Sequence, residues 1–288
     1  MIPKLKLLKW GVYLRRCKVI KHAIIIFTKV PEAGKVKTRL TAQRGGILTQ
    51  EEAKDFYEAC LLDTIDVCTS IDRARVWICH NAAGDRNNLN LLITQLKHTD
   101  KISGIFSDQG GSFDECMQYA AEFILKPGQK RKLAESILIL GGDVVGLQPS
   151  TLNDAIEKLE MLSSSSAKQQ ADIGPAMVVS ADQEGGFNLA GFTCNTDFDF
   201  QSVFYNMDGV TALEGLAQKA REKNIPLLPL DMVIDVDLPV DLGSMIPVLN
   251  VLEQGAGYDP RIIAPSRTIA VIKDLGLQSC AQPVEGWG

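Results

Sequence analysis

Apolar residues along this chain fall into short continuous runs, and between the runs they recur every three or four positions. The runs have the length and β-branched character of buried strands, and the periodic stretches that of amphipathic helices. Seven strands are predicted, over residues 23–27, 75–79, 101–106, 136–140, 176–179, 187–192 and 226–230. Seven helices are predicted between and after them, over 49–70, 87–97, 112 or 114 to 125, 151–162, 211–223, from Pro239 onward, and 266–275. Thr49 with Glu52 three residues on has capping-box spacing, Ser150 stands where a cap for 151–162 belongs, and Gly276 suits a helix stop. Asp235 and Asp237 are candidate caps for the helix at Pro239. The polar stretch 163–172, SSSSAKQQAD, and the basic run at 130–132 predict surface connections.

Strands alternating with helices predict an α/β fold of three layers, α/β/α and Rossmann-like, with a mostly parallel central sheet covered on both faces. The chain of 288 residues divides into a basic N-terminal extension (1–21), one domain (22–252) and a tail with a short helix (253–288). The extension carries seven lysines and arginines and no acid, interleaved with leucines and Trp10. Lysines interrupt its apolar part, so it is not a secretory signal. It is expected to be a dispensable extension or a packing helix, with an organelle address and a membrane-surface helix as the alternatives.

Composition narrows the function classes. Hydrophobic residues make up 45% and charged residues 23%, ordinary for a globular protein. A net charge of −5 argues against general nucleic-acid binding, which makes the basic clusters local features. Seven cysteines without a CxxC pair form neither a disulfide framework nor a zinc pattern, and point to reduced thiols in the cytoplasm. No apolar run reaches transmembrane length.

The candidate chemistry lies in the loops that follow strands. After the first strand, Lys29, Lys35, Lys37 and Arg39 crowd a loop broken by Pro31 and Gly34, a composition suited to a nucleotide's phosphates. Ligands of such sheets bind at the carboxyl ends of the strands. The basic loop, Gly141-Gly142-Asp143 and the 182–186 stretch all follow strands, so one rim is expected to hold all three. Phosphate chemistry there calls for Mg2+ or Mn2+ on carboxylates. Asp143 is the first candidate ligand, Asp182 and Glu184 the next, and Asp235 and Asp237 the last. Gly185 and Gly186 would let backbone approach a ligand. The three histidines have no metal spacing, and GxSxG, GxGxxG and GxxxxGK[ST] are absent.

The opening motif FTKVPEAGKVKTRL resembles that of the selenodomain-associated transferase 1 family, a domain of unknown function related to glycosyltransferases. Further stretches agree in order: ACLLDT at 59–64, Gln109-Gly110-Gly111, ILILGGDVVGLQPSTL at 137–152, EGGFNLAGF at 184–192 and DVDLPVDL at 235–242. The resemblance covers about residues 22–245. It implies the glycosyltransferase-A fold of the nucleotide-diphospho-sugar transferase superfamily, and a nucleotide site on Lys29, Gly34, Lys35, Lys37, Thr38 and Arg39. It further implies a metal on Asp143, catalytic roles for Asp143 and Glu184, and an acceptor side on Gly185, Gly186, Phe187 and Asn188. The implied reaction moves a sugar from a nucleotide-diphospho-sugar to a small-molecule acceptor. Nucleotidyltransferases of the same superfamily share the run matched by Lys37-Thr38-Arg39-Leu40, so transfer from a nucleoside triphosphate is the alternative. The chain departs from the family's pattern at Glu184, where the family has Asp, at Val144-Val145-Gly146, where a proline precedes the leucine, and at Cys116, where an arginine is usual. These departures motivate a third reading, a non-catalytic protein that binds a nucleotide or a partner.

Overall fold

The computed structural model describes residues 20–126, 132–167, 173–204 and 206–279. The N-terminal extension up to residue 19, most of the basic run at 130–132, the second half of the 163–172 stretch and the last nine residues lie outside them.

All seven strands form one sheet in the order β3-β2-β1-β4-β6-β5-β7. They are β1 (Ile20–Thr28), β2 (Ala74–His80), β3 (Ile102–Ser107), β4 (Ala134–Gly141), β5 (Met177–Ala181), β6 (Phe187–Thr193) and β7 (Leu227–Pro229). Neighbouring strands are parallel except β6, which runs antiparallel to both β4 and β5. The turn between β5 and β6 therefore lies at the same edge as the carboxyl ends of β1 and β4. That places the 182–186 stretch on the rim with the basic loop and Asp143, as expected.

The helices are α1 (Gln50–Ser70), α2 (Arg86–Ile93), α3 (Phe113–Leu125), α4 (Pro149–Ser166), α5 (Ala212–Glu222), α6 (Pro239–Ala256) and α7 (Ser266–Asp274). Alternation along β1 and β4 splits the core into two faces. Ile24, Ile26, Leu138 and Leu140 pack against apolar residues of α1, α2 and α4. Ala23, Ile25, Ile137 and Ile139 pack against those of α3 and α5. The fold is three layers, α/β/α. A third apolar cluster joins Phe56 and Cys60 of α1 to Leu242, Met245 and Leu249 of α6 and to Ile269 and Ile272 of α7.

Local signals decide several ends. Thr49 and Glu52 form the capping box, with Thr49 N donating to Glu52 Oε2 at 2.7 Å. Ser112 and Glu115 form a second one at α3. At α4 the expected cap is corrected: Pro149 takes the first helical position, so Ser150 lies inside the first turn. The expected loop at 163 is also displaced. Ser163 and Ser164 donate to Glu160 O and Ser165 to Leu162 O, so their hydroxyls bond back along the helix and α4 continues to Ser166. The helix α6 runs through the boundary expected at 252, and α7 packs on α1.

Five cysteines among the described residues are free thiols, and Cys60, Cys68, Cys79 and Cys116 are buried. No described helix is long and apolar enough to cross a membrane.

Candidate functional site

The loop after β1 is pinned at both ends. At its start Thr28 Oγ1 lies 2.8 Å from Tyr57 Oη, Lys29 N donates to Tyr57 Oη at 3.2 Å, and Val30 N donates to Asn81 Oδ1 at 2.7 Å. Farther along, Val36 and Leu40 are buried, and Ile47 N and Leu48 N both donate to Leu40 O at 2.9 Å. Between these anchors Lys29 is exposed, and the side chains of Lys35 and Arg39 are each 63% exposed. Gly34 and Thr38 lie on the same loop, Thr38 opening a 3-10 turn that ends at Leu40.

Lys37 behaves differently. Its backbone is left-handed (φ 42°), a conformation uncommon outside glycine. Its side chain turns inward and is 3% exposed. Nζ lies 2.6 Å from Asp143 Oδ2, 3.0 Å from Asp237 Oδ1 and 3.5 Å from Asp235 Oδ1. Arg39 Nη1 meets the other oxygen of Asp237 at 3.0 Å. Burial alone would favour the neutral amine of Lys37, but the charges of Asp143, Asp235 and Asp237 outweigh it and hold the ammonium well above its ordinary pKa. Burial and then repulsion from Asp143 push Asp235 up to about 6, against the pull of Lys37. Burial acts the same way on Asp237, but Lys37 and Arg39 overcome it and hold that carboxyl below its ordinary range.

The segment that carries Asp235 and Asp237 is tied to the β5–β6 turn. Gln183 Nε2 donates to Asp235 O at 2.9 Å and to Asp241 Oδ1 at 3.2 Å, while Asp235 N donates to Gln183 Oε1 at 3.2 Å. Asn188 Nδ2 donates to Val233 O at 2.7 Å. The cap of α6 is Asp241, whose Oδ2 accepts from Leu238 N at 2.7 Å and Asp237 N at 3.1 Å. Neither Asp235 nor Asp237 caps that helix; both face Lys37.

Within the turn, Asp182 Oδ1 accepts from Glu184 N at 2.8 Å and Gly186 N at 2.7 Å. A Cβ on Gly186 would stand 2.3 Å from Asp182 Oδ2, and Gly185 has φ +84°. These glycines are needed by the turn itself. Glu184 is exposed, and partial burial followed by repulsion from Asp241, Asp237 and Asp182 raises its carboxyl. Phe187 is buried, its ring 4.8 Å from that of Phe204. Phe204 continues to Phe113 at 4.6 Å, and Phe113 to Phe27 at 5.4 Å, an aromatic arc from β6 to the end of β1. Cys116 is a buried thiol, pushed up to about 11 by burial and by Asp108.

The structure thus brings Asp143, Asp235 and Asp237 together around Lys37, and sets Asp182 and Glu184 in the adjoining turn. Among the described residues no group of three or more His, Cys, Asp or Glu side chains is placed to hold a metal ion. The carboxylates that would do so already face one buried ammonium, so as the side chains stand the donor set fits that cation and not Mg2+ or Mn2+.

Sequence reasoning missed four residues that build this rim: Tyr57, Asn81, Gln183 and Asp241. Asp241 had a signal, since it stands two residues after Pro239, where a carboxylate can reach back to the start of the helix. Tyr57, Asn81 and Gln183 act through contacts with distant segments, and nothing local marks them.

Comparison with known proteins agrees with the fold. The structure superposes with a TM-score of 0.66 on a candidate nucleotide-diphospho-sugar transferase from Desulfovibrio desulfuricans, at 20% identity, over 89% of this chain and 96% of that one. It superposes at 0.51 on a cytidylyltransferase from Leptospira borgpetersenii, at 9% identity, over 92% and 99% of the two chains. A 70-residue stretch is 40% identical to ribose-5-phosphate isomerase A from Chloroflexus aurantiacus, which is 23% of this chain and 29% of that protein. The sequence profile described as an uncharacterized protein conserved in bacteria, DUF2064, matches residues 64–207, half of the chain. The chain belongs to DUF2064, a family of uncharacterized proteins conserved in bacteria.

Proposed function

We propose that the protein is a transferase that uses a nucleotide-activated donor, and that it moves a sugar from a nucleotide-diphospho-sugar to a small-molecule acceptor. The observation that carries this reading is the meeting of three loops at the carboxyl ends of β1, β4 and β5, joined through Lys37 and the 235–237 segment. That is where a nucleotide binds in sheets of this kind. The resemblance to the selenodomain-associated transferase 1 family and the likeness in fold to a candidate nucleotide-diphospho-sugar transferase support it.

In this reading Lys29, Lys35 and Arg39 present their charges to the donor's diphosphate and stabilise the nucleoside diphosphate that leaves. Among the described residues Lys35 pairs only with Glu32 on its own loop and Lys29 makes no ion pair, so both can turn to a phosphate without opening the core. Asp143 and its lysine fix the floor of the site. Glu184, an exposed carboxyl raised by its acidic neighbours, is suited to accept a proton from the acceptor's hydroxyl. Gly185, Gly186, Phe187 and Asn188 form the wall beside it. No step is assigned to Mg2+ or Mn2+, because the donor set fits Lys37; metal dependence is a separate arm of the test.

The density of cations on one loop favours a second reading, nucleotidyl transfer from a nucleoside triphosphate with pyrophosphate leaving. A thermal-shift panel of nucleoside triphosphates and nucleotide-sugars, with and without Mg2+ or Mn2+, separates the two. A ligand at a hundredfold excess over its Kd stabilises the folded protein by about 2.7 kcal/mol. Stabilisation by a nucleotide-sugar, lost in Arg39→Ala, is the expected result. A response to triphosphates alone would move the assignment to nucleotidyl transfer. Silence across the panel would sink both and leave a non-catalytic protein, for which the buried thiol at Cys116 would then be a marker.

A further inference from the structure

Three carboxylates around one buried ammonium invite a question about charge. Asp143, Asp235 and Asp237 lie where divalent ions are expected in nucleotide chemistry, and their oxygens are hard ligands of the right type. Yet the centre that they surround is filled. Lys37 Nζ reaches all three within 3.5 Å, and its side chain is almost wholly shielded from water. Arg39 neutralises Asp237 from the outer side. The other charged groups facing the cluster are Lys29, which acts on Asp237 from farther off, and the acids Glu184 and Asp241 on the turn side. Three negative charges thus meet two close positive ones. A divalent ion added to this set would stand within a few ångströms of a buried ammonium and would be repelled by it.

We propose that Lys37 is a resident counter-ion that takes the place of a divalent cation among Asp143, Asp235 and Asp237, so that free Mg2+ or Mn2+ does not bind there while Lys37 is in place. The left-handed backbone at Lys37 belongs to the same device, since that conformation turns the side chain inward while its neighbours Lys35 and Arg39 stay in solvent. The inference concerns the ligand-free protein and stands whether or not the rim turns over a nucleotide donor. If the rim does use a metal, binding has an order: the anion that draws Lys37 away comes before the metal or together with it.

The test is Mn2+ binding to the full chain without nucleotide, read by the electron paramagnetic resonance signal of free Mn2+ and by the melting temperature. Wild-type protein is expected to leave Mn2+ free and to melt at the same temperature with and without it. Lys37→Met is expected to bind one Mn2+ at least roughly tenfold more tightly, to gain melting temperature from it, and to lose both effects in the Lys37→Met/Asp143→Asn double variant. Lys37→Arg keeps the charge and is expected to behave as wild type. Tight Mn2+ binding by the wild type that Asp143→Asn removes would overturn the proposal, and that comparison needs no Lys37 variant to fold. Mn2+ binding by Lys37→Met that survives Asp143→Asn would also overturn it.

Discussion

Two buried residues show how the same burial leads to opposite protonation. Lys37 keeps its proton because three carboxylates face it. His22, on β1 at the far end of the sheet, has less company. Its Nδ1 lies 2.7 Å from Ser136 Oγ and its Nε2 3.0 Å from Glu160 Oε1, but Glu160 is also held by Lys21 and by Arg73 at 2.7 Å. Burial therefore wins over the pull of Glu160, and the imidazole's pKa falls below its ordinary value. The unfolded chain takes up this proton near pH 6.5, before the folded one does, so stability is fully present above that pH and declines as the pH falls below it. Asp235 has the opposite sign: its folded pKa of about 6 lies above the unfolded one, so its contribution is present in acid and is lost as the pH rises from about 4 through 6. His22→Gln isolates the first effect. In urea titrations at pH 7.5 and 5.5, the wild type is expected to lose more stability on acidification than the variant; equal losses would remove His22 from the pH response. At the other end of the sheet, Lys37→Met is expected to cost about 1–3 kcal/mol without metal, since it leaves three half-buried carboxylates facing one another without their central cation. An unchanged urea midpoint would mean that the three aspartates relax into solvent.

At the scale of elements, the sequence shows most where a signal is local. Hydrophobic runs and periodicity located seven strands and seven helices, because a strand of β1's kind needs only its own residues to be recognised. Capping boxes at Thr49 and Ser112 are local too, spanning four residues each. The antiparallel insertion of β6 between β4 and β5 is not local: nothing within Phe187–Thr193 states which strand it will pair with. The candidate site divides along the same line. The basic loop, Asp143 and the Gly185-Gly186 turn could be found as motifs. That Lys37 turns inward while Lys35 and Arg39 stay outside depends on carboxylates one hundred to two hundred residues away, Asp143, Asp235 and Asp237. Gln183 was invisible for the same reason, although with Asp241 it clamps the 235–237 segment in place. Asp241→Ala removes the cap of α6 and one of the Gln183 contacts together, and is expected to cost about 1–2 kcal/mol. Since Asp237 N loses its acceptor, the variant should also show faster amide exchange over 235–238. Protection there equal to that of the wild type would show that the clamp is held by Lys37 and not by the cap.

Among the described residues two apolar layers flank the sheet and a third cluster lies outside them, and the third one ties α7 and α6 to α1. Buried Asp63 on α1 accepts from Thr268 N at 2.8 Å, Thr268 Oγ1 at 2.9 Å and Arg267 Nη1 at 2.9 Å. Arg267 Nη1 reaches Asp66 at 2.7 Å as well. Burial raises the Asp63 carboxyl, and the bonds from Thr268 and Arg267 oppose that rise, so the charge is affordable only while α7 is docked. Ile269 and Ile272 of α7 close the cluster over Phe56 and Cys60. Phe56 and Tyr57 are successive residues of α1, and Tyr57 in turn holds the start of the basic loop. Helix α7 is thus coupled to the candidate site through one turn of α1. A chain ended after Ala256 would lack the two isoleucines that cover Phe56 and Cys60, forfeiting about 2–3 kcal/mol of burial for each, and would leave the Asp63 carboxylate without its partners, at about 1–3 kcal/mol. Together these are comparable to the whole stability of many domains. Such a truncation is expected to lower the melting temperature steeply and to abolish any nucleotide-induced stabilisation. Asp63→Asn keeps the shape with the charge removed, and is expected to lie between the two. A truncated chain that melts with the full one, and still responds to nucleotide, would show that residues 22–256 are self-sufficient and that α7 only decorates α1.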